Sequence, residues 1–131
     1  MDDFKRSKEV EQLHSFIGNN KINIVAGIRR CGKTYLLDTV FKNFLIKDKK
    51  EFIENDFAIL SLDGKDRKIR TSTTLTDALE RIYKEKKKII IIDEVQLVDG
   101  FDEVLKSYVI KHSDISLFVT GSNSDILSHD I

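Results

Sequence analysis

Apolar positions along this chain repeat with two periods, and the switches between them divide it into elements. Val10, Leu13, Phe16 and Ile17 fall on one stripe, so residues 4–18 are expected to be helical, with Gly18-Asn19-Asn20 as a stop signal. Ile22-Asn23-Ile24-Val25-Ala26 is short and rich in β-branched residues, as a strand is. Helical spacing returns at Leu36, Leu37, Val40, Phe41, Phe44 and Leu45, inside a pattern that runs from Tyr35 to Ile46. Lys47-Asp48-Lys49-Lys50 reads as its solvated end, where lysines complement the helix dipole. Phe57 to Leu62 is a second strand, and the polar stretch from Asp63 to Arg70 a loop.

A third helix carries Leu75, Ala78, Leu79, Ile82 and Tyr83 on its apolar stripe. Thr74 is its expected cap, with Asp77 as capping-box partner. Lys84-Glu85-Lys86-Lys87-Lys88 ends it, and such a run reads first as a solvated terminus and second as a nucleic-acid contact. Ile89-Ile90-Ile91-Ile92 is apolar without a break and runs into Asp93-Glu94. Unbroken apolarity means that both faces of the strand are covered. Phe101, Val104, Leu105, Tyr108 and Val109 predict a further helix with Asp99 as its cap. Ile115 to Thr120 is a fourth strand, followed by Gly121-Ser122-Asn123-Ser124.

The resulting order is α, then β-α-β-α-β-α-β. Strands alternating with helices predict an α/β fold whose parallel sheet is covered on both faces. In such sheets ligands bind outside the carboxyl ends of the strands. Three of the four strands end in polar sequence: the stretch from Gly27, Asp93-Glu94, and Thr120 to Ser124.

Composition narrows this picture. With 131 residues, one domain is expected, large enough to bury a core. Lysine plus arginine and aspartate plus glutamate number 22 each, so net charge offers no support for nucleic acid as a partner. A lone cysteine, Cys31, leaves no internal disulfide and suits a reducing, cytoplasmic setting. No apolar run approaches the ~20 residues of a membrane span. The charged start, Met1-Asp2-Asp3-Phe4-Lys5-Arg6, has no apolar stretch behind it, so no secretory signal is expected.

The candidate chemistry begins after the first strand. Gly27-Ile28-Arg29-Arg30-Cys31-Gly32-Lys33-Thr34 fits the phosphate-binding pattern G-x-x-x-x-G-K-[ST], between a predicted strand and a predicted helix. The two glycines admit backbone that a side chain would obstruct, so the intervening N–H groups can form a nest around phosphate oxygens. Lys33 would reach the β- and γ-phosphates, and Thr34 would place its hydroxyl on magnesium. Gly27, Ile28, Arg29, Arg30, Cys31, Gly32, Lys33, Thr34 and Tyr35 form the candidate nucleotide-binding set. The Arg29 and Arg30 side chains either face solvent or meet phosphate or a partner's acidic group. Cys31 stands near a helix N-terminus, where thiol pKa values fall; a redox role is the alternative to a plain loop position.

Asp93 closes a buried strand, where a carboxylate is costly without a partner. Sharing a magnesium shell with Thr34 would supply one. Glu94 follows where the chain turns, and there it is the candidate general base for a water beside the γ-phosphate. The plain alternative for this pair is a strand end meeting water. Ser122 and Asn123, just past the fourth strand, are candidate sensors of the nucleotide, or else a simple Gly-Ser-Asn turn.

At these residues the chain resembles a known family. The strand before GIRRCGKT, the IIIIDEVQ segment and the LFVTGSNS segment together are similar to the ATPase core of prokaryotic AAA-type proteins. The likeness is to those whose core is followed by a lid and a DUF4143-type C-terminal region, and it covers roughly residues 8–128. It implies a P-loop fold of three layers with strand order 1-4-3-2. It also implies ATP and Mg2+ as cofactors, residues 27–34 as the nucleotide loop, Asp93 and Glu94 as the metal and base pair, and Ser122-Asn123 as the sensor. Family members continue into a fifth strand, an arginine-bearing segment and a lid, none of which follows Ile131. The expectation is therefore a truncated core: an N-terminal helix over 1–20 and a nucleotide-binding unit over 21–131. Without the fifth strand, Ile22–Ala26 becomes an edge, to be paired with another chain in self-association or covered by the N-terminal helix.

The function expected is an ATP-Mg-binding ATPase module whose hydrolysis drives or signals a conformational change in the full-length protein. The alternatives are a nucleotide-binding interaction module without turnover and a small-molecule kinase. Glu94 argues against the kinase, a class that usually lacks a glutamate beside the strand-end aspartate. A GTPase is disfavoured because Asn20-Lys21-Ile22-Asn23 fails the guanine-reading pattern N-K-x-D at its last position.

Overall fold

The computed structural model describes residues 8, 10–25 and 36–121. Helix α1 covers 10–14 and passes through a turn over 15–18. It ends where Gly18 and Asn20 take positive φ, 79° and 58°. The strands are β1 (Ile22–Val25), β2 (Phe57–Ser61), β3 (Ile89–Asp93) and β4 (Ser116–Thr120). Helix α2 spans Ser72–Lys84 and helix α3 Phe101–Lys111. Between β1 and β2 the chain winds as two π-helical segments, Leu36–Phe41 and Phe44–Asp48, where an α-helix was expected. The closing bond of the second runs from Lys49 N–H to the Phe44 carbonyl at 2.9 Å, one residue wider than the α-helical step.

All four strands are parallel, in the order β1-β4-β3-β2. β3 therefore pairs with β4 and β2 and never with β1, which is the order the resemblance implied. β1 is the terminal strand among the described residues. Alternation along β3 divides the core into two. Ile90 and Ile92 face a cluster with Leu75, Leu79, Leu105 and Tyr108, from α2 and α3. Ile89 and Ile91 face the other side, with Val10 and Leu13 of α1, Leu37, Phe41 and Leu45 of the π-helical stretch, and Phe118 of β4. Phe41 and Phe118 meet edge to face, their ring centroids 5.2 Å apart. This is the three-layer arrangement that four unbroken isoleucines require, since neither face of β3 meets water.

Two cap assignments change. Thr71, not Thr74, is the N-cap of α2: its hydroxyl accepts from Thr74 N–H at 3.2 Å. Thr74 answers as the third helical residue, its own hydroxyl accepting from Thr71 N–H at 3.1 Å. A threonine thus fills the place that the sequence pattern reserves for an acid. Asp99 does not cap α3. Gly100 does, with φ of 73°, a backbone state that glycine adopts without steric penalty. Among the described residues no helix is long and apolar enough to cross a membrane.

Candidate functional site

The carboxyl end of β3 lies in the middle of the sheet, between the ends of β4 and β2. Register carries Ile92 beside Val119, so the next residues, Asp93 and Thr120, come abreast. Asp93 is 7% exposed and Thr120 is 1% exposed. The Thr120 hydroxyl donates to Asp93 Oδ1 at 2.5 Å. Thr120 Oγ1 in turn accepts from Glu94 N–H at 3.0 Å. One side chain therefore serves an anion and a backbone donor together. A buried carboxylate is tolerated only with such partners.

Glu94 has φ 61° and ψ 51°, the left-handed region. For a residue with a Cβ this conformation is uncommon, and Asn20, Lys50 and Lys86 share it at ordinary turns. It lets the chain leave the strand at once, so Glu94 does not continue the alternation of β3. A short 3-10 turn, Val95–Leu97, follows, with the Val95 side chain buried beneath it. The turn brings Gln96 back over Glu94, and Gln96 Nε2 donates to Glu94 Oε1 at 2.7 Å.

β1 arrives at the same end of the sheet, Val25 standing beside Thr120 in register. The phosphate-loop residues Gly27, Ile28, Arg29, Arg30, Cys31, Gly32, Lys33 and Thr34, with Tyr35, lie outside the described residues, as do the sensor candidates Ser122 and Asn123. Of the residues singled out in the sequence, Asp93 and Glu94 are described, and they stand together at the predicted strand end. Two participants went unassigned. Thr120 figured only as the first residue of the polar stretch that ends the fourth strand, with no role given to its hydroxyl. Gln96 figured only as the last letter of the IIIIDEVQ segment.

The donor set suits a hard cation held together with phosphate. Magnesium takes oxygen ligands, and near nucleotides it uses one or two carboxylates, with phosphates and waters completing the shell. Asp93 and Glu94 supply carboxylate oxygens at a strand end. Among the described residues no group of three or more histidine, cysteine or acidic side chains forms a cage for a metal alone.

Comparison with known proteins agrees with this geometry. The chain is 29% identical over 117 residues to the uncharacterized protein MJ1544 of Methanocaldococcus jannaschii, a match covering 86% of this chain and 23% of that protein. It is 23% identical over 133 residues to an uncharacterized protein of Haemophilus influenzae, covering 96% of this chain and 31% of the relative. The matched part thus spans less than a third of the length of either relative. A family model described as AAA domain matches residues 19–131, nearly the whole chain. With the sheet order β1-β4-β3-β2 and the acidic end of β3, this places the chain in the AAA domain family, as an ATPase-like nucleotide-binding domain.

Proposed function

We propose that this chain is the catalytic core of an ATPase that binds ATP with Mg2+ and hydrolyses it to drive or signal a conformational change in a longer protein. The observation that carries the reading is the junction of Asp93, Glu94 and Thr120 at the carboxyl end of the central strands. It lies at the end of the sheet where β1 leads into the G-x-x-x-x-G-K-[ST] sequence.

Each residue has a distinct task in this reading. Backbone N–H groups of residues 27–34 cradle the phosphates, and Lys33 places a positive charge on the β- and γ-oxygens. Thr34 and Asp93 hold magnesium, which when bound neutralises charge on the phosphate oxygens. Thr120 keeps Asp93 aimed by donating to it. Glu94 accepts a proton from the attacking water, as a general base within hydrogen-bond reach does. Ser122 and Asn123 report on the γ-phosphate. The terminal position of β1 among the described strands supports self-association through that edge.

Calorimetry and melting with ATP and Mg2+ test the binding half. At 100 times its dissociation constant, ATP should add about 2.7 kcal/mol of stability, and Lys33→Ala should abolish the gain. In the full-length protein, Glu94→Gln should bind as the parent does and lose turnover. No heat and no melting shift in the parent would favour an interaction module. Release of ADP that depends on a small-molecule acceptor would favour a kinase. Parental turnover in Glu94→Gln would remove the base assignment.

A further inference from the structure

The Gln96 side chain combines two features that belong together. Its Nε2 donates to Glu94 Oε1 at 2.7 Å. Its Oε1 is buried and has no hydrogen-bond partner among the described residues. The amide cannot be turned round to relieve this, because a carboxylate only accepts, and a turned Gln96 would set oxygen against oxygen. A buried carbonyl without a donor is destabilising, and an apolar side chain of the same shape would remove that penalty. Glutamine here serves Glu94 at the expense of its own acceptor. Positions that break a local rule in this way concentrate at functional sites.

Two bonds to described residues hold Glu94. Its backbone N–H is fixed to Thr120 Oγ1 at 3.0 Å, and its carboxylate to Gln96. A glutamate side chain has several free torsions, and a base must be aimed before a bond to water can form. The left-handed backbone at Glu94, the short turn over Val95–Leu97 and the Gln96 bond make one compact unit in which residue 96 reaches back to residue 94.

We propose that Gln96 is a positioning residue for Glu94, holding its carboxylate in the orientation in which it takes the proton from water. The proposal rests on the ATPase reading above for its kinetic consequence, but not for the clamp itself. Gln96 touches neither phosphate nor water in this role and acts through Glu94.

The test uses Gln96→Met, which keeps length and volume while removing both the donor and the stranded acceptor. The expected result is a fall in kcat of about tenfold with KM for ATP unchanged, since an aimed group contributes by orientation. Melting temperature should stay level or rise, because the orphaned carbonyl is gone. A merely structural glutamine predicts the opposite pairing: lower melting temperature and parental kcat. That outcome overturns the proposal. A second measurement needs no turnover. In the nucleotide-free parent, the Gln96 side-chain amide should give a shifted, slowly exchanging pair of NMR signals, and Glu94→Ala should return them to the position of a free amide. Signals of a free amide in the parent would show that no clamp exists. The two levels stay separable. If Glu94→Gln loses turnover and Gln96→Met does not, the clamp fails and the ATPase reading stands. If the full-length parent hydrolyses nothing, the reading fails and the NMR signals alone decide the clamp.

Discussion

Both ends of the sheet bury polar side chains, but they do so in different ways. At the amino end Asn23 is 9% exposed and Ser116 6%. The Asn23 amide nitrogen donates to the Leu117 carbonyl at 3.0 Å, and its oxygen accepts from Asn19 Nδ2 at 2.8 Å. Ser116 Oγ accepts from Gly18 N–H at 2.9 Å. All of these partners are neutral, and they bind the turn after α1 to β1 and β4. At the carboxyl end the buried groups include a carboxylate, one hydroxyl is shared between two partners, and one carbonyl oxygen has none among the described residues. Buried polarity that is neutral and fully partnered stitches elements together. Buried polarity that is charged and partly unsatisfied is retained for something other than stability.

The largest test of this contrast is Thr120→Val, which conserves shape and deletes the hydroxyl. Asp93 Oδ1 loses the Thr120 donor and Glu94 N–H the Thr120 acceptor in one step. Removing a partner from a buried charge and a backbone donor should cost about 3 kcal/mol, read from urea or guanidinium midpoints at constant m. Turnover should fall with it, because the same hydroxyl aims both acidic residues. A loss under about 1 kcal/mol would mean that the hydroxyl is dispensable to the carboxyl end, and the contrast would dissolve.

Asn23→Ala is the matching change at the amino end, with a smaller effect. It removes the bonds to Leu117 and Asn19 and leaves neutral groups behind, so about 1–2 kcal/mol is expected. ATP affinity, referred to the folded fraction, should not change. A several-fold weakening of affinity would show that the two ends are coupled through β1 and β4.

How much of this was legible in the sequence follows from the physics of each residue. Four isoleucines in a row report a strand buried on both faces, because no helical or half-exposed pattern tolerates such a run. Strand order came from the resemblance and not from periodicity, since alternation says which face a residue takes but not which strand lies beside it. The α2 cap was misplaced by one turn because Thr71-Ser72-Thr73-Thr74 offers several hydroxyls, and only the folded backbone selects one. Asp93 and Glu94 were legible as acids after an apolar run. Thr120 and Gln96 were not, because their roles are defined by contacts across 27 residues of sequence in one case and by a left-handed turn in the other. The winding of Leu36–Asp48 also escaped, because apolar residues at helical spacing suit α and π turns alike over so short a stretch.

The smallest expected effect concerns a third polar group, midway in character between the two ends. Glu80 on α2 faces His112 and Lys111 of the α3 end, its Oε2 lying 3.4 Å from both His112 Nε2 and Lys111 Nζ. The Tyr83 ring stacks on His112 at 3.7 Å between centroids. Desolvation pushes the Glu80 carboxyl up, but the His112 hydrogen bond and the Lys111 charge together outweigh it and leave the carboxyl below its ordinary value. A depressed carboxyl stabilises the fold above its unfolded pKa and loses that contribution as pH falls through the folded one. Lys111 is largely solvent-exposed and Glu80 partly so, and water screens the pair. Glu80→Gln should therefore cost at most about 0.5 kcal/mol near pH 7. The difference from the parent should vanish as pH falls through the lowered folded value, where both chains come to carry a neutral group at this position, and high salt should shrink it at neutral pH. A loss that equals the one at Asn23 and ignores salt would move Glu80 into the class of buried, fully committed polar groups. Stitching at the amino end would then include charge, and charge alone would no longer distinguish the site from the scaffold.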